Sequence, residues 1–293
     1  MAISRSDRGA ALPLALVVTL TLVALVTDVD LRSRLSFDRA RRAAQMAEAR
    51  SLLSKLEMAL GAASSDQLDA LAGGAQEFDL DEFKVTIRMS PPEAKLNVNR
   101  LNDLIVGEPI QRLVAALLKH ERFEQRALSC ALDWVDADDD PRPSGAERLD
   151  YSGEDVSPRN GPFETVDELS FVRGFRDESA FGRIRPLITT FGSGKIYLPA
   201  ADPELIDMIT DAYGPAVRNY IDDLRRNPDR SIQIPSTVMP EKDLQSLQSI
   251  LTPKPTAWMV TIDIETRNFH TRADYVLNLD ESVAANHRIV RIG

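Results

Sequence analysis

An unbroken apolar run lies close to the N-terminus of the chain. The 18 residues from Ala10 to Thr27 carry no charge, and a helix of that length just reaches across an apolar membrane layer of about 30 Å. A buried helix and a secretory signal peptide are the alternatives, but the run passes directly into Asp28 and Asp30 without a small-residue cleavage site. The pattern therefore predicts a membrane-inserted helix, whose anchoring residues are Leu12, Leu14, Leu16, Leu20, Leu22 and Leu25.

The helical pattern continues beyond this run. Between Leu31 and Leu60 the sequence contains neither glycine nor proline, and strong helix formers dominate. Apolar residues recur at roughly helical spacing between arginines and glutamates, and Gly61 offers a natural end to the helix. These features predict one helix of about 50 residues, half in the membrane and half packed on a soluble domain.

Two β regions lie on either side of the central part of the chain. In the first, every second residue from Phe83 to Met89 is apolar, which predicts a half-buried strand after a small, polar surface connection that follows Gly61. The second begins near Trp258 and contains three alternating segments that continue to the C-terminus.

Between these β regions the pattern changes to helices separated by loops that contain proline and glycine. The predicted helices are Ile110–Leu118, Phe123–Val135, Glu164–Val172, Pro203–Ala212, Val217–Arg226 and Glu241–Leu251. Strands before and after a helical segment predict an α+β fold, in which a helical domain at residues 101–250 is inserted into a sheet domain.

Composition and charge exclude several classes of function. The formal net charge is −10, and a negative field repels the phosphates of nucleic acids. The single cysteine, Cys130, can form no intramolecular disulfide, and like Trp134 and Trp258 it is predicted to be a core residue. The sequence has no HExxH or GxSxG motif, and Gly192–Lys195 lacks the flanking residues of a phosphate-binding loop. We therefore predict that the chain is not an enzyme and has no catalytic residues.

Most of the negative charge is concentrated in one stretch. Between Asp133 and Asp155, nine acidic residues and two arginines give a local charge of −7. Several carboxylates held close together need a cation to offset their repulsion. The stretch therefore predicts either a cation site or an acidic, solvated loop.

The spacing of these acids is that of a calcium-binding loop, with positions 1, 3, 5 and 12 occupied. The sixth position is Pro141, where such a loop requires glycine. A calcium site of another kind is therefore the sharper prediction, with Asp139, Asp150 or backbone carbonyls as alternative ligands. Its candidate ligands are Asp136, Asp138, Asp140 and Glu147.

A short leader precedes the apolar run. Its sequence, MAISRSDRG, is polar and basic and ends at Gly9, directly before Ala10. This junction resembles the class III signals of type IV pilins and pseudopilins, which prepilin peptidase cleaves on the cytoplasmic face of the membrane. The resemblance implies cleavage after Gly9 and N-methylation of Ala10. Most family members have glutamate five residues into the mature chain, whereas Leu14 stands there in this sequence. That departure is characteristic of the K subunit of type II secretion systems.

Two central segments add to this resemblance. The segment DWVDADDDPRPSGAE, Asp133–Glu147, is similar to a DW-x-D-x-D … G-x-E pattern of the K subunits. The segment NGPFETVDELSFVRGF, Asn160–Phe175, is similar to their N-x-P-F … E-L-x-x-V-x-G-F pattern. The resemblance implies an α+β, pilin-like fold: a long N-terminal helix with an antiparallel sheet, interrupted by a large inserted helical domain that is SAM-like or helix-hairpin-helix-like. It also implies calcium as a cofactor in that helical domain.

The same resemblance implies a division of the chain into five parts. These are a prepilin leader at 1–9, a transmembrane part of the long helix at 10–27, the periplasmic helix and first strands of the pilin-like core at 28–100, the inserted helical domain at 101–250, and the C-terminal strands of the core at 251–293.

The implied function is that of a minor pseudopilin that initiates or caps the tip of the pseudopilus during protein export across the outer membrane. The resemblance also implies a single-pass protein of the inner membrane, with the bulk of the chain in the periplasm. The expected partners are the I and J type minor pseudopilins, prepilin peptidase, the inner-membrane secretion platform and, as a further candidate, the secreted substrates. The local charge indicates the opposite orientation, because five arginines follow the apolar run and two precede it. The periplasmic assignment therefore depends on the resemblance.

Two alternatives remain at this point. The segment VDELSFVRGF is similar to half of a helix-hairpin-helix module, which would make the chain a membrane-anchored nucleic-acid-binding protein of the competence-receptor kind. The surrounding negative charge disfavours this, so no nucleic acid is expected as a partner. A minor pilin of a type IV pilus is the nearer alternative, since it would have the same leader and helix.

Overall fold

The computed structural model describes residues 7–72, 74–228, 235, 237–279 and 289–292. In these ranges the α-helices are α1 (Asp7–Ala62), α2 (Ser65–Leu71), α3 (Gly107–His120), α4 (Ala127–Val135), α5 (Glu178–Ile184), α6 (Pro203–Tyr213), α7 (Arg218–Arg226) and α8 (Glu241–Ser249). The strands are β1 (Gln76–Leu80), β2 (Phe83–Ser90), β3 (Leu96–Asn97), β4 (Ile188–Thr189), β5 (Ala257–Glu265), β6 (His270–Asn278) and β7 (Ile289–Arg291).

The predicted long N-terminal helix is confirmed as α1, which contains 56 residues. Every side chain described between residues 27 and 44 is exposed, and burial begins at Gln45. Of the α1 side chains that are described, those that pack on the rest of the molecule therefore lie in its C-terminal part, from Gln45 onward. Gly9, Ala10 and the predicted anchoring leucines lie on α1, while residues 1–6 of the predicted leader lie outside the described residues. Among the described residues, no helix combines the length and apolar character needed to span a membrane.

Five strands form one antiparallel sheet in the order β1-β2-β5-β6-β7. From Trp258 onward, successive residues of β5 alternate in burial, as expected for a sheet with one face on a core. The buried face includes Val85, Ile262 and Tyr275, which pack in one cluster with Ala49 and Leu53 of α1. The predicted combination of helices with an antiparallel sheet is confirmed.

A helical block, defined here as residues 92–251, lies between two strands that are neighbours in this sheet. The chain leaves the sheet after β2, forms α3 to α8, and returns as β5, which pairs with β2. The block has its own apolar core, which begins at Leu96 and ends at Leu251. Leu96 and Val98 belong to this core, so the change from one core to the other comes before the predicted boundary at residue 101. The described part of the chain thus has two cores, joined by two connecting segments: one between β2 and the helical block, and one between the block and β5.

Several elements differ from those predicted. The predicted surface connection after Gly61 contains α2, because Ser64 and Gln67 form a capping box that fixes its start. The predicted single strand is a hairpin of β1 and β2, and Asp81 adopts a left-handed conformation (φ 54°) in its two-residue turn. The predicted α-helix Glu164–Val172 is a 3₁₀ helix at Val166–Phe171.

Hydrogen bonds of Glu93 hold the two connecting segments together. Its side chain is 1% exposed, and Oε1 accepts hydrogen bonds from the backbone N–H of Ser193 (3.4 Å), from the Ser193 hydroxyl (3.3 Å) and from the Thr256 hydroxyl. Its backbone carbonyl accepts from the N–H of Tyr197 at 2.8 Å. These bonds link Glu93, at the start of the helical block, to Ser193 and Tyr197 within the block and to Thr256 in the segment before β5, which fixes the block against the sheet.

Candidate metal centre

The first acidic residue of the candidate metal centre lies on α4 and is buried. Asp133 lies in its last turn and is 0% exposed. The adjacent Trp134 stacks on Phe163, with ring centroids 6.2 Å apart, and meets the edge of Tyr151 at 5.5 Å. These aromatic contacts fix the end of α4 and therefore the direction of the Asp133 carboxylate.

Three carboxylates converge beyond the end of α4. Single oxygens of Asp133, Asp136 and Glu147 all lie within 4.8 Å of one another. The first belongs to α4, the second is the residue that ends this helix, and the third returns from the following loop. Glu147 is 2% exposed, so two of the three carboxylates are almost completely removed from water.

Asp133 is well satisfied by hydrogen bonds. Its Oδ2 accepts from the backbone N–H of Ala146 at 2.8 Å and from that of Arg142 at 3.2 Å. Its Oδ1 accepts from Nη1 of Arg142 at 2.8 Å. The same nitrogen also donates to Oδ2 of Asp136. Arg142 therefore bridges two of the three carboxylates and leaves a net charge of −2 on the group when all its members are ionised.

Unlike Asp133, Glu147 is not satisfied by hydrogen bonds: neither of its carboxylate oxygens has a hydrogen-bond partner among the described residues. Oδ1 of Asp136 is also buried without one. Burial first, and then the negative charges of Asp133 and Asp136, raise the pKa of Glu147 to about 7. A buried, unpaired carboxylate is costly, and side chains of this kind are normally paired or bound to a metal ion. The group thus contains three buried acceptor oxygens without hydrogen-bond partners, together with a residual charge of −2 when all its members are ionised.

This donor set fits calcium. All the available atoms are hard oxygen ligands, and the residual charge matches a divalent cation. Asp133, Asp136 and Glu147 would hold the ion, which would neutralise the unpaired charge and join the end of α4 to the loop that follows it.

The structure brings together only part of the predicted ligand set. Asp136 and Glu147 belong to the group, whereas Asp138 and Asp140 are outside it. Both of these are in the exposed part of the loop, and the N–H of Asp140 donates to Oδ1 of Asp138 at 3.1 Å. Asp133, which belongs to the group, was not among the predicted ligands, although it opens the DWVDADDD segment. The assignment of Asp138 and Asp140 as ligands stays a prediction that the geometry does not favour.

The exposed part of the acidic loop is held by Asn160. Its Nδ2 donates to the carbonyl of Asp138 and to Oδ1 of Asp139, both at 2.9 Å. Asn160 has a left-handed backbone (φ 54°) and is the first residue of the NGPF segment. The two segments that carried the family resemblance are therefore in direct contact.

Gly145 makes the close approach of the loop possible. A Cβ atom at this position would lie 1.7 Å from Oδ2 of Asp133 and 3.1 Å from the N–H nitrogen of Arg142. Because Asp133 is buried and held by hydrogen bonds, we expect Gly145→Ala to displace its carboxylate and to lower the free energy of unfolding by about 1–3 kcal/mol. Thermal unfolding with and without calcium measures the effect.

Gly182→Ala is the matched control. Gly182 is exposed within α5, and a Cβ there meets nothing within 4 Å. We expect this substitution to raise stability by about 0.5–1 kcal/mol. Equal stability of the Gly145→Ala variant and the parent chain would show that the carboxylate group is not packed as described.

A second group of potential ligands has a different character. His120, Glu121 and Glu204 also bring single ligand atoms within 4.8 Å of one another. The Glu121 carboxylate, however, accepts hydrogen bonds from Arg183 and, at 2.9 Å, from His120. The bond from Arg183 is the main reason that the pKa of Glu121 is lowered. Since Glu121 is already neutralised, this group gives no comparable indication of a metal.

The other predicted core residues lie where expected. Cys130, Trp134 and Trp258 are all buried, which confirms their assignment to the core. The segment VDELSFVRGF also contributes to packing, because Leu169, Val172 and Phe175 belong to the core of the helical block. Its Gly174 (φ 94°) lies against the start of α4, where a Cβ would be 2.7 Å from Cα of Ala127.

The comparison with protein families concerns this same part of the molecule. Residues 94–193 match the sequence model of the family described as type II secretion system protein K. The resemblance to the protein K family is confirmed. The match covers 100 of the 293 residues and includes α3, α4, the three converging carboxylates and the NGPF segment. No curated protein sequence matches the chain.

A solved structure extends the comparison to most of the fold. The chain is similar to a chain in the crystal structure of the GspK–GspI–GspJ complex from the enterotoxigenic Escherichia coli type 2 secretion system. The TM-score is 0.63, the sequence identity is 16%, and the alignment covers 89% of this chain and 98% of that chain. At this identity the likeness shows a shared fold.

Proposed function

We propose that this chain is a K-type minor pseudopilin of a type II secretion system, which initiates or caps the tip of the pseudopilus for protein export across the outer membrane. The observation that carries the proposal is the protein K family match at residues 94–193, within the helical block. A shared fold over 89% of the chain with a member of the GspK–GspI–GspJ complex supports it. The proposed partners are accordingly the I and J type minor pseudopilins.

The exposed part of α1 is the natural place for contact with those partners. Leu35 is 47% exposed and Phe37 is 75% exposed, although both are large apolar residues. Near them the helix is stabilised by its own ion pairs, Asp28 with Arg32 at 2.8 Å and Asp30 with Arg34 at 2.9 Å. A helix that extends beyond its own domain and presents apolar side chains is suited to pack against the helices of other pseudopilins.

The tip position is proposed from the size of the helical block. An insertion of this size between β2 and β5 adds a second body to the sheet domain, and a regular filament of closely packed subunits leaves no room for it. At the tip, one side of the subunit has no neighbour.

The processing site and the anchor follow from the same proposal. Cleavage after Gly9 by prepilin peptidase would leave Ala10 as the N-methylated first residue, with residues 10–27 held in the inner membrane. The remainder of the chain would lie in the periplasm. We also propose the five-part division that the resemblance implies, with the inserted domain starting before Leu96 and not at residue 101, and a SAM-like or helix-hairpin-helix-like character for that domain.

Calcium is proposed to have a structural role. In the group formed by Asp133, Asp136 and Glu147, it would stabilise the fold of the helical block and would not take part in a reaction. No catalytic role is proposed for any residue. The net charge of −10 argues against the nucleic-acid-binding alternative.

The test of this function is co-purification from native membranes. The tagged full-length chain, solubilised in mild detergent, is expected to carry the I and J type pseudopilins with it. Phe37→Asp is expected to reduce their recovery at least tenfold, since it places a charge in the proposed helix contact. Leu104→Asp, a change at a fully exposed position of the helical block, is the control and should leave recovery unchanged. Recovery of neither pseudopilin with the parent chain would contradict the proposal.

A further inference from the structure

Among the residues that the structure describes, the sheet has a free edge at β1. This strand is the outermost of the five, and within the described ranges only one of its two edges is paired, by β2. Four of its five residues are exposed, and the fifth is half-buried. An unprotected edge strand presents unpaired N–H and C=O groups that can pair with another extended chain.

The two faces of β1 differ sharply in character. Phe78 and Leu80 are on one face and remain 41% and 42% exposed. Glu77 and Asp79 alternate with them and therefore lie on the other face. An edge strand that exposes large apolar side chains lacks the usual protection against pairing, while its acidic residues limit which chains can pair with it.

The apolar face of β1 opens into a groove. The groove has a volume of about 590 Å³ and is lined by Phe78, Leu80, and side chains of α1 and α2 such as Leu56, Ala59 and Leu71. Its walls are almost entirely apolar, and Gln67 is its only polar lining residue among those described. The groove lies beside the free edge, so side chains of an added strand on that face would enter it.

The acidic face has an excess of negative charge. Lys84 of β2 forms an ion pair with Glu77 at 2.9 Å and lies opposite Asp79 in the antiparallel register. The single positive charge of Lys84 therefore faces two negative charges, and both Glu77 and Asp79 are exposed. A basic side chain on a neighbouring strand would find an unneutralised acid there.

We propose that β1 accepts an extended segment of another protein as a sixth strand of the sheet, and that this segment alternates apolar with basic residues. Its apolar side chains fill the groove beside Phe78 and Leu80. Its basic side chains, on the opposite face, contact Glu77 and Asp79. Backbone pairing supplies affinity, and the alternating side chains supply specificity. This surface is separate from the exposed part of α1, so the proposal stands independently of the proposed pilus assembly.

A second copy of the same strand is a poor occupant. Antiparallel pairing of two β1 strands about Phe78 places Glu77 of each opposite Asp79 of the other, and parallel in-register pairing places each acid opposite itself. Like charges directly opposite each other are destabilising in a sheet. The negative face thus discriminates against self-association and in favour of a basic partner.

Fluorescence anisotropy with short synthetic peptides tests this inference on the full-length chain in detergent. The probe is a seven-residue peptide of alternating valine and lysine, and the matched probe replaces every lysine with glutamate. We expect the lysine peptide to bind at least tenfold more tightly, with an affinity that falls as salt is raised. Backbone N-methylation of one alternate set of its residues should abolish binding, while N-methylation of the other set should not, because only one set points its N–H groups at β1.

Variants of the chain locate the site. Phe78→Lys should abolish binding of the lysine peptide, and Asp79→Lys should reverse the preference between the two peptides. Leu104→Lys, at an exposed apolar position away from the groove, should leave both affinities unchanged. The proposal is overturned if neither peptide binds, if both bind equally, or if Phe78→Lys has no effect. It is also overturned if both N-methylated sets still bind, which would indicate a helical occupant, or if cysteines placed on β1 cross-link two copies of the chain.

Discussion

Replacing Gly9 with valine is expected to leave the leader attached and to abolish type II secretion. Prepilin peptidases of the resembled family cut after a glycine at this junction, and a branched side chain at Gly9 would block that cut. The uncut chain would keep a polar, basic segment ahead of the apolar run and could not take its place in the assembly. Immunoblotting of membranes for the unprocessed chain, together with an assay of secreted proteins in the medium, measures both effects.

Ala11→Val is the matched control for this experiment. It makes the same kind of change one residue beyond Ala10 and leaves the Gly9 junction intact. We expect this variant to be processed and to support secretion. Normal secretion by Gly9→Val with its leader intact would show that secretion does not depend on cleavage after Gly9.

Calcium is expected to raise the melting temperature of the metal-free chain by about 5–10 °C. At a concentration about 100 times the dissociation constant, a ligand adds about 2.7 kcal/mol to the stability of the folded state. For a body of roughly 150–250 residues, each kcal/mol corresponds to about 2–4 °C. Glu147→Gln should abolish most of this increase, because it removes the carboxylate with two unpaired oxygens.

The same substitution should have the opposite effect on stability when calcium is absent. The metal-free Glu147→Gln variant should be more stable than the metal-free parent by about 1–3 kcal/mol, since it no longer buries an unpaired charge. Asp140→Asn is the control, because Asp140 lies outside the converging group and should leave the calcium response unchanged. If calcium no longer raised the melting temperature of Asp140→Asn but still raised that of Glu147→Gln, the calcium site would lie in the exposed part of the loop and not at the converging carboxylates.

Strong, repeated patterns allowed much of the fold to be predicted. The long helix followed from an apolar run and a stretch without glycine or proline, and the sheet followed from alternation in β2 and β5. The first hairpin was missed because its two-residue turn, Asp81 and Glu82, lacks the glycine or asparagine that usually marks such a turn, although Phe78 and Leu80 alternate with acidic residues in β1. The helix α2 was missed because its seven residues lie in a small, polar segment, and its start depends on the cap formed by Ser64.

The metal centre shows where spacing along the chain stops being informative. Asp136 and Glu147 were predicted from the interval between them, and the fold does bring them together. Asp138 and Asp140 satisfied the same spacing rule, but the proline at position 141 takes this loop out of the conformation on which the rule depends. Asp133 could be recognised as the third member of this carboxylate group only from its burial at the end of α4 and from its nearness to Glu147, and both are tertiary properties.

The most direct test of the central claim is intact-mass and N-terminal analysis of the chain extracted from native membranes. We expect a mature protein that begins at Ala10 and carries an N-methyl group, as prepilin peptidase processing would leave it. A protein that retains Met1 or Ala2, or one that is cut beyond Thr27, would contradict the assignment as a pseudopilin.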